Sequence, residues 1–195
     1  VDLDPQWRCF YEDGTVLDLH KDVHRMRQEL ESLFPGTGTA DGYADFVNYS
    51  RRMYHLSERV FFYRDVGSVR DVMKAVPMND FNLLKDVMAM RLHSTVGATV
   101  KKHIPDPHAR QLVEHFLQYV GSSPFMAPAI LALIASAQVD HGCWYPMGGT
   151  RKIAQTLERI LREMGVEIVL GNGVKRFLTD GNRVSGVELD DGETI

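Results

Sequence analysis

A phosphate-holding dinucleotide loop needs a strand, Gly-x-Gly-x-x-Gly and a helix in that order. Gly36-Thr-Gly38 follows a helical pattern and lacks a third glycine at the required step. Gly171-Asn-Gly173 follows a strand-like run, but Arg176 occupies the third position and a second strand pattern follows. Both read as turns, so this chain holds no dinucleotide loop of that type. His20 and His24 stand four apart, a spacing that can put two metal ligands on one helix face. No third ligand stands at a telling spacing, so the pair reads as a solvated first helical turn rather than a metal site. His103 and His108 flank Pro105-Asp-Pro107 and read as surface residues. His141 is an acid–base candidate. Cys143 has no paired-histidine signature and reads as a small packed hydrophobe. No Gly-x-Ser-x-Gly elbow is present, which removes the support for a hydrolase of that kind.

The elements that must position these residues follow from periodicity. Trp7–Tyr11, the Glu12-Asp-Gly14 turn and Thr15–Leu19 predict a β-hairpin. Val23, Met26, Leu30, Leu33 and Phe34 give Lys21–Phe34 one apolar helical face. A long helix is expected to run from an Asp41 cap to about Phe62, with Phe46, Tyr49, Met53, Leu56 and Val60 inward. Shorter helices are expected from Ser68 to Val76, Phe81 to Leu92 and His108 to Val120, while Ser94–Ile104 is ambiguous. Phe125–Val139 predicts a helix that is apolar nearly all round, and such a helix is buried, membrane-dipping or lines an apolar cavity. Cys143-Trp-Tyr145 is extended, Pro146–Gly149 is a turn, and Thr150 is expected to cap a helix reaching Met164. Strands are expected at Val166–Leu170, Val174–Leu178 and Arg183–Leu189.

The fold class is therefore α+β: a mostly helical lobe over residues 1–142 with an N-terminal hairpin, and a strand–helix–strand part over 143–195. A chain of 195 residues buries a core without disulfides or metal. Its two cysteines, Cys9 and Cys143, sit in no metal spacing. A net charge of −4 with interspersed signs gives no basic footprint for nucleic acid. The longest apolar run, Phe125–Ala137, falls short of the ~18 residues of a membrane span and contains Pro128. The abrupt start just before a strand, and the stop just past Asp190-Asp-Gly192, lead to the expectation that the chain is a piece of a larger protein.

Several runs, in order, resemble one family. They are Trp7-Arg-Cys-Phe-Tyr-Glu-Asp-Gly14, Phe34-Pro-Gly with Gly42-Tyr-Ala-Asp-Phe-Val-Asn-Tyr-Ser50, Gly121-Ser-Ser-Pro-Phe125 and Gly142-Cys-Trp-Tyr-Pro-Met-Gly-Gly-Thr150. With the strand and Asp-Gly hairpin that follow, this set resembles the bacterial phytoene (carotenoid) desaturases, a branch of the flavin amine oxidase-like superfamily. The resemblance covers essentially the whole chain. It implies an FAD-dependent oxidoreductase of an α/β FAD-binding fold, with residues 143–195 forming part of that domain and the N-terminal FAD loop lying outside this chain. It implies an apolar isoprenoid or carotenoid substrate such as phytoene, and a cytoplasmic enzyme peripheral to the membrane. Position by position it implies that Gly148, Gly149 and Val174 contact the cofactor. Phe125, Ile130, Leu133, Ile134 and Trp144 are the expected substrate contacts. No residue takes a catalytic role by motif, and the fragment alone is expected to be inactive and to bind no FAD tightly. The alternatives are a flavin oxidoreductase of the same superfamily acting on another isoprenoid or an amine, and a non-catalytic lipid-binding or interaction module.

Overall fold

The computed structural model describes residues 1–63 and 94–195. The helices expected at Ser68–Val76 and Phe81–Leu92 lie outside the described residues. The chain divides into two compact units, Val1–Trp144 and Tyr145–Ile195. The architecture is mixed α+β, as the periodicities predict, with two separate two-stranded antiparallel sheets.

In the first unit, β1 (Trp7–Phe10) pairs with β2 (Val16–Leu19) in the register Trp7 with Leu19 and Phe10 with Val16. α1 (Val23–Leu33) starts at Asp22, whose carboxylate accepts the Arg25 N–H at 2.8 Å, a side-chain N-cap. α2 (Thr39–Ser57) begins one turn earlier than the Asp41 cap expected from sequence. Its cap is Gly38 in the left-handed region (φ 76°), and Asp41 sits inside the first turn. After Ser57 the helix loosens into a π-helical turn, Glu58–Phe62.

Ser94–Ile104 resolves as a helix, α3 (Val96–His103). The deciding signal is Thr95, whose hydroxyl accepts the Ala98 N–H at 3.2 Å. α4 (Pro107–Glu114) has Pro at its first position and Asp106 as cap, accepting from both His108 and Ala109. It tightens into a 3₁₀ extension, His115–Val120. The continuous helix expected over Phe125–Val139 does not form. Residues 123–128 make a turn, Ala129–Ala132 is a 3₁₀ turn, and α5 runs only from Leu133 to His141. Pro128 is the reason: it lacks an N–H and biases the residue before it away from helical ψ.

The core of this unit gathers Leu17 and Leu19 from the hairpin, Met26 and Leu30 from α1, Tyr43 and Phe46 from α2, and Val100 and Leu112 from α3 and α4. Ser50 ties α2 to the segment behind it. Its buried hydroxyl donates to the Ala132 carbonyl at 2.6 Å and accepts the Ser136 N–H at 2.7 Å.

The second unit holds α6 (Arg151–Glu163), β3 (Val174–Asp180) and β4 (Arg183–Leu189). Thr150 precedes α6, but its side chain makes no capping bond and its backbone is already helical. Gly165 closes the helix with φ 76°, and the Val166 N–H reaches back to Leu161 at 2.9 Å. Val166–Leu170 forms no strand: no described segment pairs with it, and a β-branched run becomes a strand only against a partner. The expected apolar stripe of α6 is present, yet Ile153, Leu157 and Met164 are exposed. No described helix is long and apolar enough to cross a membrane.

Candidate functional site

The loop between Gly121 and Pro128 is held against the start of α3. The first N–H groups of a helix have no partner inside it. Here the Val96 N–H donates to Ala127 O at 2.9 Å and the Gly97 N–H to Pro124 O at 2.8 Å. A β-carbon on Gly97 would stand 3.1 Å from that same Pro124 oxygen, a tight fit that glycine relieves. The turn is closed by Met126 N–H and Ala127 N–H on Ser123 O. It leaves Phe125 77% and Met126 80% exposed, two large apolar side chains at a fixed turn.

Phe125 lines one wall of a groove of about 640 Å³ running between α3 and α4. Ala98 and Lys101 come from α3; Pro107, Arg110 and Glu114 come from α4. The spacing Pro107, Arg110, Glu114 is three and four residues, which puts all three on one helical face. Burial pushes the Glu114 carboxyl above the usual range, and the nearby Arg110 guanidinium pulls against that shift.

The other expected substrate contacts are placed differently. Ile130, Leu133 and Ile134 are half-buried, Ile134 against the core cluster. Trp144 is 65% exposed; its indole N–H donates to His141 O at 2.9 Å and Lys21 lies over its ring at 5.6 Å. In the second unit, Gly148 and Gly149 both take left-handed φ, 91° and 90°. A side chain on Gly149 would meet nothing nearer than Tyr145 Oη at 3.9 Å, whereas one on Gly148 would press the Lys152 side chain at 3.1 Å. The pair presents bare backbone just before α6, the kind of surface that permits close approach of a flat group. Val174 opens β3 opposite Leu189 and is half exposed.

The histidines turn out differently from the sequence reading. His20 is buried and His24 exposed, so they form no pair. His20 Nδ1 lies 2.8 Å from Asp4 Oδ1 and Nε2 lies 2.6 Å from Glu29 Oε2. Ligand atoms of Asp18, His20 and Glu29 fall within 4.8 Å of one another, a spacing that a cation could bridge. Each already has a partner, however, and the Arg8 guanidinium spans both Asp18 oxygens at 2.6 and 2.7 Å. The cluster is a hydrogen-bonded network as it stands, with Arg8–Asp18 as its ion pair. His103 and His108 are half-buried rather than superficial: His103 packs beside Phe46 and Tyr49, His108 between Tyr11 and Phe34. Sequence gave no signal for these ring contacts, because the partners lie far off in the chain. His141 is exposed. Burial pushes the Cys143 thiol up, and Asp2 adds to it, the opposite of an activated nucleophile.

α5 is joined to α2 by a charged contact. Arg51 Nε and Nη2 reach both Asp140 oxygens, at 2.6 to 3.1 Å, and the Ser136 hydroxyl donates to Asp140 at 2.9 Å. The Arg51 hydrogen bonds hold the Asp140 carboxyl below the usual carboxylate range, with burial opposing and Ser136 assisting. A carboxylate depressed in the folded state stabilises above its unfolded pKa and loses that contribution as pH falls through its folded value. Asp140→Asn is expected to cost about 1 kcal/mol near neutral pH, since both side chains are about a third exposed. The difference from the parent is expected to shrink steadily below about pH 4. Urea unfolding across that range measures it; a pH-independent difference rules the account out.

Comparison with known proteins gives the family context. The chain is 32% identical over 193 residues, 99% of its length, to a 4,4'-diapolycopene oxygenase of Methylomonas sp. It is 31% identical over 190 residues to a 4,4'-diaponeurosporene oxygenase of Staphylococcus haemolyticus, covering 97% of this chain. A 4,4'-diaponeurosporene oxygenase of Staphylococcus aureus is 32% identical over 193 residues. The similarity supports a carotenoid-modifying enzyme family. The chain spans 36 to 37% of the length of these carotenoid-modifying relatives. No family model matches it. The motif resemblance thus meets relatives that modify carotenoids and are named oxygenases.

Proposed function

We propose that this chain is part of a cytoplasmic oxidoreductase, peripheral to the membrane, that oxidises a linear carotenoid. The observation that carries this reading is similarity along 97 to 99% of the chain to proteins named 4,4'-diapolycopene oxygenase and 4,4'-diaponeurosporene oxygenase. Oxygenation near a chain end is the first reading of the reaction. Desaturation of a precursor such as phytoene, implied by the ordered motifs, is the second. The structure is compatible with both: the exposed Phe125–Met126 turn and the apolar side of the α3–α4 groove suit a hydrocarbon.

FAD, where bound, would accept the electrons of a desaturation; an oxygenation would in addition draw its oxygen atom from dioxygen as co-substrate. Gly148 and Gly149 fit a flat ring because their backbone is bare and left-handed, and Val174 would stand at the adenine end. The remaining work of this chain is orientation: apolar walls exclude water and fix the polyene so that one carbon faces the reacting group.

The test is pigment chemistry. The gene containing this chain is expressed in a bacterium engineered to accumulate acyclic carotenoids, and the extracted pigments are separated and weighed by mass spectrometry. Carbonyl- or hydroxyl-bearing products support oxygenation. Products that have lost hydrogen and absorb further to the red support desaturation. Unchanged pigments in cells that hold the folded protein overturn the proposal.

A further inference from the structure

The α3–α4 groove is lined by both apolar and charged side chains, and that combination suits a ligand with both characters. Its hydrocarbon surface comes from Ala98, Pro107 and the exposed Phe125 ring. Its charged surface comes from Lys101, Arg110 and Glu114. Two cations and one carboxylate thus line the same groove. Neither cation is spent in a salt bridge to an acidic residue among the described residues, unlike Arg8, Arg25 and Arg51. Lys101 lies in the last turn of α3, where the helix dipole favours a cation anywhere on the circumference. Its neighbour Lys102 serves that purpose equally, so the dipole does not explain why Lys101 lines the groove. The volume, about 640 Å³, lies within the range of small-molecule sites. It suits one end of a long chain rather than the whole of it.

We infer that this groove binds the oxygen-bearing end of a linear polyene, with the carbonyl or carboxylate against Lys101 and Arg110 and the chain along Ala98, Pro107 and Phe125. The inference rests on the carotenoid reading and extends it: the same protein holds a chain end that already carries oxygen. A bare hydrocarbon end gains nothing from the two cations. An oxidised end gains charge-assisted hydrogen bonds, and those are the stronger kind. The groove thus sorts chain ends by oxidation state, retaining a partly oxidised end for a further round or an end-oxidised product before release.

The probe is cis-parinaric acid, a linear conjugated tetraenoic acid, titrated by fluorescence into the full chain, with its methyl ester alongside. The acid is expected to bind more tightly than the ester and to weaken more steeply with added salt. Lys101→Ala with Arg110→Ala is expected to weaken the acid about tenfold and to leave the ester within about twofold. Glu114→Gln is expected to tighten the acid, because it removes the one opposing charge. Unfolding midpoints equal to the parent's confirm that each variant folds; Lys101→Met with Arg110→Met serves if the alanine pair does not. Equal binding of acid and ester, an unchanged acid affinity in the double variant, or no binding of either overturns the inference. Pigment oxidation is measured separately, so failure of the carotenoid reading with acid-selective binding intact stays distinguishable from failure of the groove.

Discussion

Gly42→Ala is expected to destabilise the helical unit by about 3 kcal/mol, although helix propensity alone favours alanine by about 1 kcal/mol. Gly42 lies in the first turn of α2 with ordinary helical backbone, so left-handed strain plays no part. What decides the sign is room. A β-carbon at this position would stand 1.9 Å from the His103 carbonyl oxygen and 2.9 Å from its carbon. Those are backbone atoms at the end of α3, and no side-chain rotation can clear them. The helices must part by more than an ångström, which opens the layer containing Tyr43, Phe46, Val100 and Ile104, all at most 1% exposed. Interiors packed this tightly do not absorb such a shift locally. Gly97→Ala is the internal comparison. Its β-carbon would lie 3.1 Å from Pro124 O, in a turn that can give by a few tenths of an ångström, so a smaller loss is expected. Urea midpoints for the two variants test the pair. A Gly42→Ala midpoint at or above the parent's would show that α2 and α3 do not approach backbone to backbone.

Gly42 also shows where sequence reading stops. Periodicity found α2 because Phe46, Met53 and Leu56 recur on one face, and all three are buried. A glycine within that pattern carries no local signal of what it faces. The partner, His103, lies far along the chain and touches it only in the folded state. The same limit explains Val166–Leu170: its composition favours extended structure, but a strand also needs an edge to pair with. Local chemistry was legible where it was self-contained. The Asp13-Gly14 hairpin turn, the Gly165 helix stop and the Pro146–Gly149 turn all form as their residues dictate. Thr95 was equally local, and its capping role settled a helix that β-branched residues had left ambiguous. At the candidate site, Phe125 was named for its apolar neighbours. Lys101, Arg110 and Glu114 were not, because only the packing of α3 beside α4 brings them to one groove.

His20→Ala is expected to cost about 2–3 kcal/mol, more than any exposed ion pair among the described residues. The ring is 2% exposed and stands where three segments converge: the N-terminal stretch through Asp4, the end of β2 through His20 itself, and α1 through Glu29. The carboxylates it touches are committed elsewhere too. Glu29 Oε1 accepts the Asp18 N–H at 2.8 Å, and Asp4 Oδ2 accepts from Arg25 at 2.5 Å. Alanine removes the imidazole and leaves a void beside two carboxylate oxygens, each stripped of one close partner. Because Asp4 is 43% and Glu29 24% exposed at the side chain, water recovers part of the loss, which keeps the cost below that of a fully buried pair. The double variant His20→Ala/Glu29→Gln separates the two components. If the penalty comes from stranded carboxylate charge, neutralising Glu29 restores about 1 kcal/mol; if it comes from the void alone, it restores nothing. A His20→Ala chain within about 0.5 kcal/mol of the parent would mean that Asp4 and Glu29 hold the hairpin to α1 without the ring between them.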